Sequence, residues 1–127
     1  MLQKILALAL AGSLGTLARV GLASLAQQAF GPRFPWGTAV VNMLGSFMYG
    51  VIWMLGTERG RISPELRIIL LAGFMGAFTT FSSFVADSAD LGAQGRPWVA
   101  LLNVVGQNTL GVAFFLLGTR LGKAALG

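Results

Sequence analysis

Apolar residues run along this chain in four long stretches parted by short polar connections. The stretches extend from about Ile5 to Gln27, Gly37 to Gly56, Leu66 to Leu91 and Trp98 to Gly118. Each is near or above the roughly 20 residues that a helix needs to cross a bilayer. The connections, QAFGPRFPW, TERGRISPE and GAQGRP, combine Gly or Pro with charge, as turns at a water interface do. Trp36 and Trp98 stand where the second and fourth stretches begin, the depth at which amphipathic rings favour headgroups. The pattern predicts an all-α membrane protein with four transmembrane helices and one domain over residues 1–127.

Composition agrees: 55% of the 127 residues are hydrophobic and only 10% are charged, far from the balance of a soluble domain. There is no cysteine and no histidine, which removes disulfides, thiolate metal sites and the commonest general base, so an enzyme is not expected. The formal charge of +5 does not point to nucleic acid, because the basic residues lie singly at the ends of the stretches. If the spans alternate, Lys4, Arg59, Arg61, Arg67, Arg120 and Lys123 share one side and Arg33 and Arg96 the other. That bias favours both termini in the cytoplasm. Lys4 ahead of an apolar run could mark a signal peptide, but the run continues to Ala29 and reads better as a first transmembrane helix.

Small residues recur four apart, as in Ala11 and Gly15, Gly12 and Thr16, and Ser46 and Gly50, so helices can approach closely. Four short spans could hardly enclose a polar route unaided, which predicts self-association.

Polar residues inside the stretches are patterned. Asn42, Ser46, Tyr49 and Trp53 fall on one helical face of the second span; Asn103, Gln107, Gly111 and Phe114 do so in the fourth, with Asn108 and Thr109 alongside. Such amides serve either as glue between helices or as a shared polar path. In the third span, GAFTTFSSF (76–84) gathers four hydroxyls and three phenylalanines. If it stays helical, Phe78, Phe81 and Phe84 share one broad face and Thr79, Ser82 and Ser83 another; with Gly73 and Gly76 before them, a local break is the alternative. Hydroxyls and amides donate hydrogen bonds without full charge, and an aromatic ring is positive at its edge, which suits a small desolvated anion. Cation transport would prefer a carboxylate in mid-membrane, yet the four acids are Glu58 and Glu65 in a connection and Asp87 and Asp90 toward the end of the third span. Arg19 is the one basic residue well inside a span rather than at its edge; it either snorkels to the interface, concentrates anions or holds carbonyls at a helix break.

GSLGTLAR (12–19), WGTAVVNMLGSFMYG (36–50) and GFMGAFTTFSSF (73–84) resemble, in order and spacing, the signature segments of the Fluc fluoride channels, also called CrcB-like proteins. The resemblance covers essentially the whole chain. It implies a four-span subunit whose third helix is broken, pairing antiparallel, with dual topology, into a homodimer with two fluoride pores. It further implies pore roles for Asn42, Phe81, Ser83 and Phe84, with Ser46 and Gln107 on the same path, and a structural sodium ion at the dimer centre held by the carbonyls of Gly76 and Thr79. Arg19 matches the arginine near the end of the first segment. The chain departs from the family pattern at Val85, where a hydroxyl is usual, at Asp87, where a longer acid is usual, and at Gln107, where a serine is usual.

The expected function is therefore passive export of fluoride across the cell's inner membrane. A proton-coupled small multidrug transporter of similar size is the alternative; it would be expected to place a carboxylate mid-membrane in its first span, where this chain has Arg19. A non-conducting structural subunit would pass no ion at all.

Overall fold

Proline and glycine set the boundaries of the helices. The computed structural model describes residues 1–57, 61–125 and 127; Glu58 and Arg59, which the sequence assigns to the second connection, lie outside them. Helix α1 (Leu2–Phe30) ends at Gly31, whose φ of 87° is open to glycine at little cost and whose N–H donates to Gln27 O at 3.0 Å. Helix α2 (Trp36–Thr57) follows Pro35. Ser63 caps α3 (Pro64–Ile68), accepting from Leu66 N at 3.2 Å, with Pro64 in the first turn where its missing N–H is not needed. Gly95, at φ 73°, turns the chain into α6 (Pro97–Ala124).

Between α3 and the fourth span the helix is irregular. Ile69–Met75 widens into a π-helical turn, and the N–H of Gly76 reaches back to Leu71 O. A single α-helical turn, α4 (Gly76–Phe78), then stops at Thr79 and Thr80, whose backbones are extended (ψ 157° and 105°), before α5 (Phe81–Ala93) restarts. Two adjacent β-branched residues, stiff at χ1, lower the cost of leaving the helix here. Four helices, Leu2–Phe30, Trp36–Thr57, the broken Pro64–Ala93 and Pro97–Ala124, are long and apolar enough to cross a membrane. At about 43 Å, α1 exceeds the hydrocarbon thickness of about 30 Å, a mismatch that tilting relieves.

The outer surface is apolar: Leu10, Leu17, Leu102 and Val112 are all more than 60% exposed, as lipid-facing positions are in a protein whose solvent is a bilayer. The inner contacts are made backbone to backbone. On facing sides of α2 and α6, Gly50 lies against the carbonyl of Phe115 and Gly118 against that of Phe47, so a Cβ at either glycine would collide with main chain. Gly15 of α1 meets the Phe74 carbonyl in the π segment in the same way, and Gly37 of α2 would place a Cβ 2.7 Å from Ala23 O of α1. The small-residue spacing thus serves close helix approach. A compact apolar cluster of Val41, Leu71, Met75 and Phe78 fills the centre.

Candidate functional site

The interruption at Thr79 and Thr80 strands backbone groups inside the bundle, where an unpaired amide is costly. Asn42, on α2, meets that need. Its Oδ1 accepts from Thr80 N at 2.8 Å and its Nδ2 donates to Thr80 O at 3.2 Å, so one carboxamide stands in for both peptide partners the broken helix lost. Thr80 in turn caps α5: its Oγ1 accepts from Ser83 N at 3.2 Å and donates to Ser83 Oγ at 2.9 Å. On the other flank of the break, Arg19 reaches from α1 and its Nε donates to Ala77 O at 2.9 Å. Of the roles open to this arginine, the one it performs here is gripping a carbonyl of the last turn before the break, where the helix dipole also favours positive charge.

From Asn42 a file of hydrogen-bonded amides crosses to α6. Asn42 Nδ2 donates to Gln107 Oε1 at 3.0 Å, Gln107 Nε2 to Asn103 Oδ1 at 2.8 Å, and Asn103 Nδ2 to Ser88 Oγ at 2.9 Å; Ser88 then donates to Phe84 O at 2.7 Å. Asn103 and Gln107 are the buried polar side chains among the described residues, and every link donates in the same direction. Turning any one amide round would set donor against donor, so the network itself fixes the orientations. The polar stripes of the second and fourth spans therefore converge. At their outer ends, Asn108 bonds back to Val104 O at 2.7 Å while lining a small cavity with Asn42 and Gln107, and Trp53 stacks near Tyr49 and receives the Arg67 guanidinium 4.3 Å above its ring.

The phenylalanines divide at the break. Phe78 is buried in α4, stacked on Phe74 with ring centroids 5.9 Å apart, while Phe81 and Phe84 open α5 with centroids 5.6 Å apart and planes at 45°. The shared face expected of an unbroken helix is thus replaced by a pair. Phe84 is buried, whereas Phe81 is 74% exposed on the single chain. Asn42, Ser46, Phe81, Phe84 and Gln107 line a small cavity of about 110 Å³, and a second cavity of about 300 Å³ joins Asn42, Ser46 and Tyr49 to Thr79, Thr80 and Phe81. Ser83 stands one turn in, tied to Thr80.

Farther along α5 the chain becomes charged. Asp87, Asp90, Arg33 and Arg96 line a polar cavity of about 220 Å³ beside the first connection, and Asp87 Oδ2 is buried with no hydrogen-bond partner among the described residues. That connection is stapled by Gln27, which donates to Gly31 O and Phe34 O at 2.7 and 2.9 Å and accepts from Gly37 N at 3.2 Å. Thr80, Ser88 and Gln27 carry no periodic signal that singles them out. For Thr80 the clue is its place after Thr79, two β-branched residues before a new cap.

Residues 6–119 match the family described as "CrcB-like protein, Camphor Resistance (CrcB)". The chain belongs to the CrcB-like family. It is 48% identical over 123 residues to a protein of Solidesulfovibrio magneticus, covering 97% of this chain and 98% of that one, and 48% identical over 118 residues to one of Nitrosococcus oceani, covering 93% and 94%. A Thermus thermophilus protein is 43% identical over 126 residues, 99% of this chain and 100% of its own. All three are named "Fluoride-specific ion channel FluC". In this CrcB-like chain the three segments quoted from the sequence meet in one place: the first supplies Arg19, the second Asn42 and Ser46, the third the break with Phe81 and Phe84.

Proposed function

We propose that the chain is a fluoride-specific channel that lets cytoplasmic fluoride leave the cell passively through the inner membrane. The observation that carries this reading is the file of neutral amides and hydroxyls from Ser88 through Asn103 and Gln107 to Asn42, ending at a helix break beside the Phe81 and Phe84 rings. Such a lining offers a dehydrated anion N–H and O–H groups and positive ring edges without a fixed charge that would hold it. On this reading Asn42, Ser46, Phe81, Ser83, Phe84 and Gln107 line the path. Family membership and the relatives' names support the ion's identity.

The work is electrical. Fluoride enters acid-exposed cells as neutral HF, ionises in a more alkaline interior and cannot recross lipid as an ion. An inside-negative potential then drives it out, at about 2.3 kcal/mol per 100 mV. No coupled ion is needed, and α1 carries no acid that a proton-coupled transporter could use.

A second copy of this chain, inserted in the opposite sense, completes the channel in this reading. Phe81 is exposed on one chain and needs a facing wall. A sodium ion fits the same junction. Thr79, with ψ 157°, turns its carbonyl out of the helical direction, Gly76 carries no side chain to obstruct approach, and α4 ends with its negative dipole there. Two carbonyls are fewer than a hard cation gathers, and a twin pair from the partner copy would bring the set to four. When bound, the ion would neutralise these carbonyl ends.

Efflux from liposomes tests the proposal. Vesicles holding the purified protein and loaded with potassium fluoride are expected to empty when valinomycin is added, while vesicles loaded with potassium chloride stay full. Retention of both anions would refute it.

A further inference from the structure

Hydrogen counting around Asn42 leads one step further, resting on the channel reading above. A carboxamide nitrogen has two hydrogens. Those of Asn42 are both engaged, one by Thr80 O at 3.2 Å and one by Gln107 Oε1 at 3.0 Å. An anion arriving in the adjoining cavity of about 110 Å³ therefore finds the Asn42 amide without a spare donor. One partner must yield. Thr80 belongs to a reciprocal pair whose second bond, Thr80 N to Asn42 Oδ1, is 2.8 Å, and letting it go would strand main chain at the break. Gln107 holds Asn42 by a single side-chain bond, whose release strands no main chain.

We propose that Gln107 Oε1 is a placeholder for the permeating anion: it occupies the Asn42 N–H that fluoride takes during passage, and so sets the fluoride concentration at which the path fills. Its direction is fixed from behind. Gln107 Nε2 is committed to Asn103 Oδ1 at 2.8 Å, and Asn103 to Ser88 at 2.9 Å, which keeps the Gln107 oxygen, not its nitrogen, turned toward Asn42. Asn103 and Ser88 act as positioning residues for this exchange. The ion and the amide oxygen compete for one hydrogen, so removing the oxygen leaves that hydrogen open to the ion.

The test is the dependence of fluoride flux on fluoride concentration in liposomes, for the parent and for Gln107→Ala and Gln107→Met. Alanine is too short to reach Asn42, and methionine keeps the length but lacks the amide oxygen. The half-saturating fluoride concentration is expected to fall about five- to tenfold in both, the weight of one net hydrogen bond. A merely structural role would lower the number of active channels, and with it the maximal flux, leaving half-saturation in place. Two variants guard against one that fails to assemble. An unchanged or increased half-saturating concentration in the assembled variants overturns the placeholder while the parent still conducts. A parent that passes no fluoride overturns the channel reading as well.

Discussion

Asn42 and Thr80, 38 residues apart, hold each other by two hydrogen bonds, 2.8 Å from Thr80 N to Asn42 Oδ1 and 3.2 Å from Asn42 Nδ2 to Thr80 O. One side chain thereby satisfies the backbone of a broken helix and presents an amide to a cavity. On the proposed channel reading, structure and conduction are tied at this residue. Asn42→Ala strands both backbone groups of Thr80, and we expect a loss of about 2 kcal/mol or more in thermal unfolding of the purified protein, together with a fall in fluoride flux on the order of tenfold or more.

Phe81 and Phe84 separate what Asn42 joins. Phe81 is exposed on the single chain and Phe84 is buried. Phe81→Ile is expected to suppress fluoride efflux with an unfolding temperature near that of the parent, and Phe84→Ile to suppress efflux with a loss of about 1–3 kcal/mol, since a branched side chain fills a ring-shaped space badly. Normal efflux in both variants would remove the ring edges from the path.

Arg19 donates to the Ala77 carbonyl at 2.9 Å, part-buried between α1 and α4. A charge-assisted bond of this kind is worth about 1.5–3 kcal/mol. Arg19→Leu should therefore lower thermal stability by about that amount, even though leucine suits lipid better than arginine. An unchanged unfolding temperature would mean that the arginine merely snorkels.

Gly50 and Gly118 each face an opposing carbonyl, of Phe115 and Phe47, across the contact of α2 with α6. Gly50→Ala and Gly118→Ala are each expected to push the helices apart at a cost of about 1–3 kcal/mol. Gly21→Ala, with open space around it, should be neutral or stabilising by up to about 1 kcal/mol. Equal effects at all three positions would contradict packing as the reason for the glycines.

Much of this architecture was legible because a bilayer imposes its own grammar. Apolar length pointed to four helices, the last of which runs past the expected Gly118 to Ala124, and Pro35, Gly31, Pro64, Gly95 and Pro97 mark ends of the helices. Helical spacing brought Asn42 and Ser46 to one face and Asn103 and Gln107 to another. Periodicity describes one helix at a time, so it could not say that Asn42 and Gln107, 65 residues apart, touch, nor that the amide turns inward to Thr80. The break was an alternative, not a certainty: glycines and hydroxyls permit it, but what stabilises it comes from Asn42 and Arg19 on other helices. Trp53 keeps its place beside Tyr49, and the Arg67 guanidinium above its ring is a contact between α2 and α3 that neither segment announces.

The central claim, that neutral dipoles and ring edges carry fluoride without a coupled ion, is tested most directly by the reversal potential of the purified protein in a planar bilayer. With a tenfold fluoride gradient and equal chloride and proton activity on both sides, the account predicts a current that reverses about 59 mV from zero, in the direction set by fluoride. A reversal at zero, or one that follows a proton gradient instead, would contradict it.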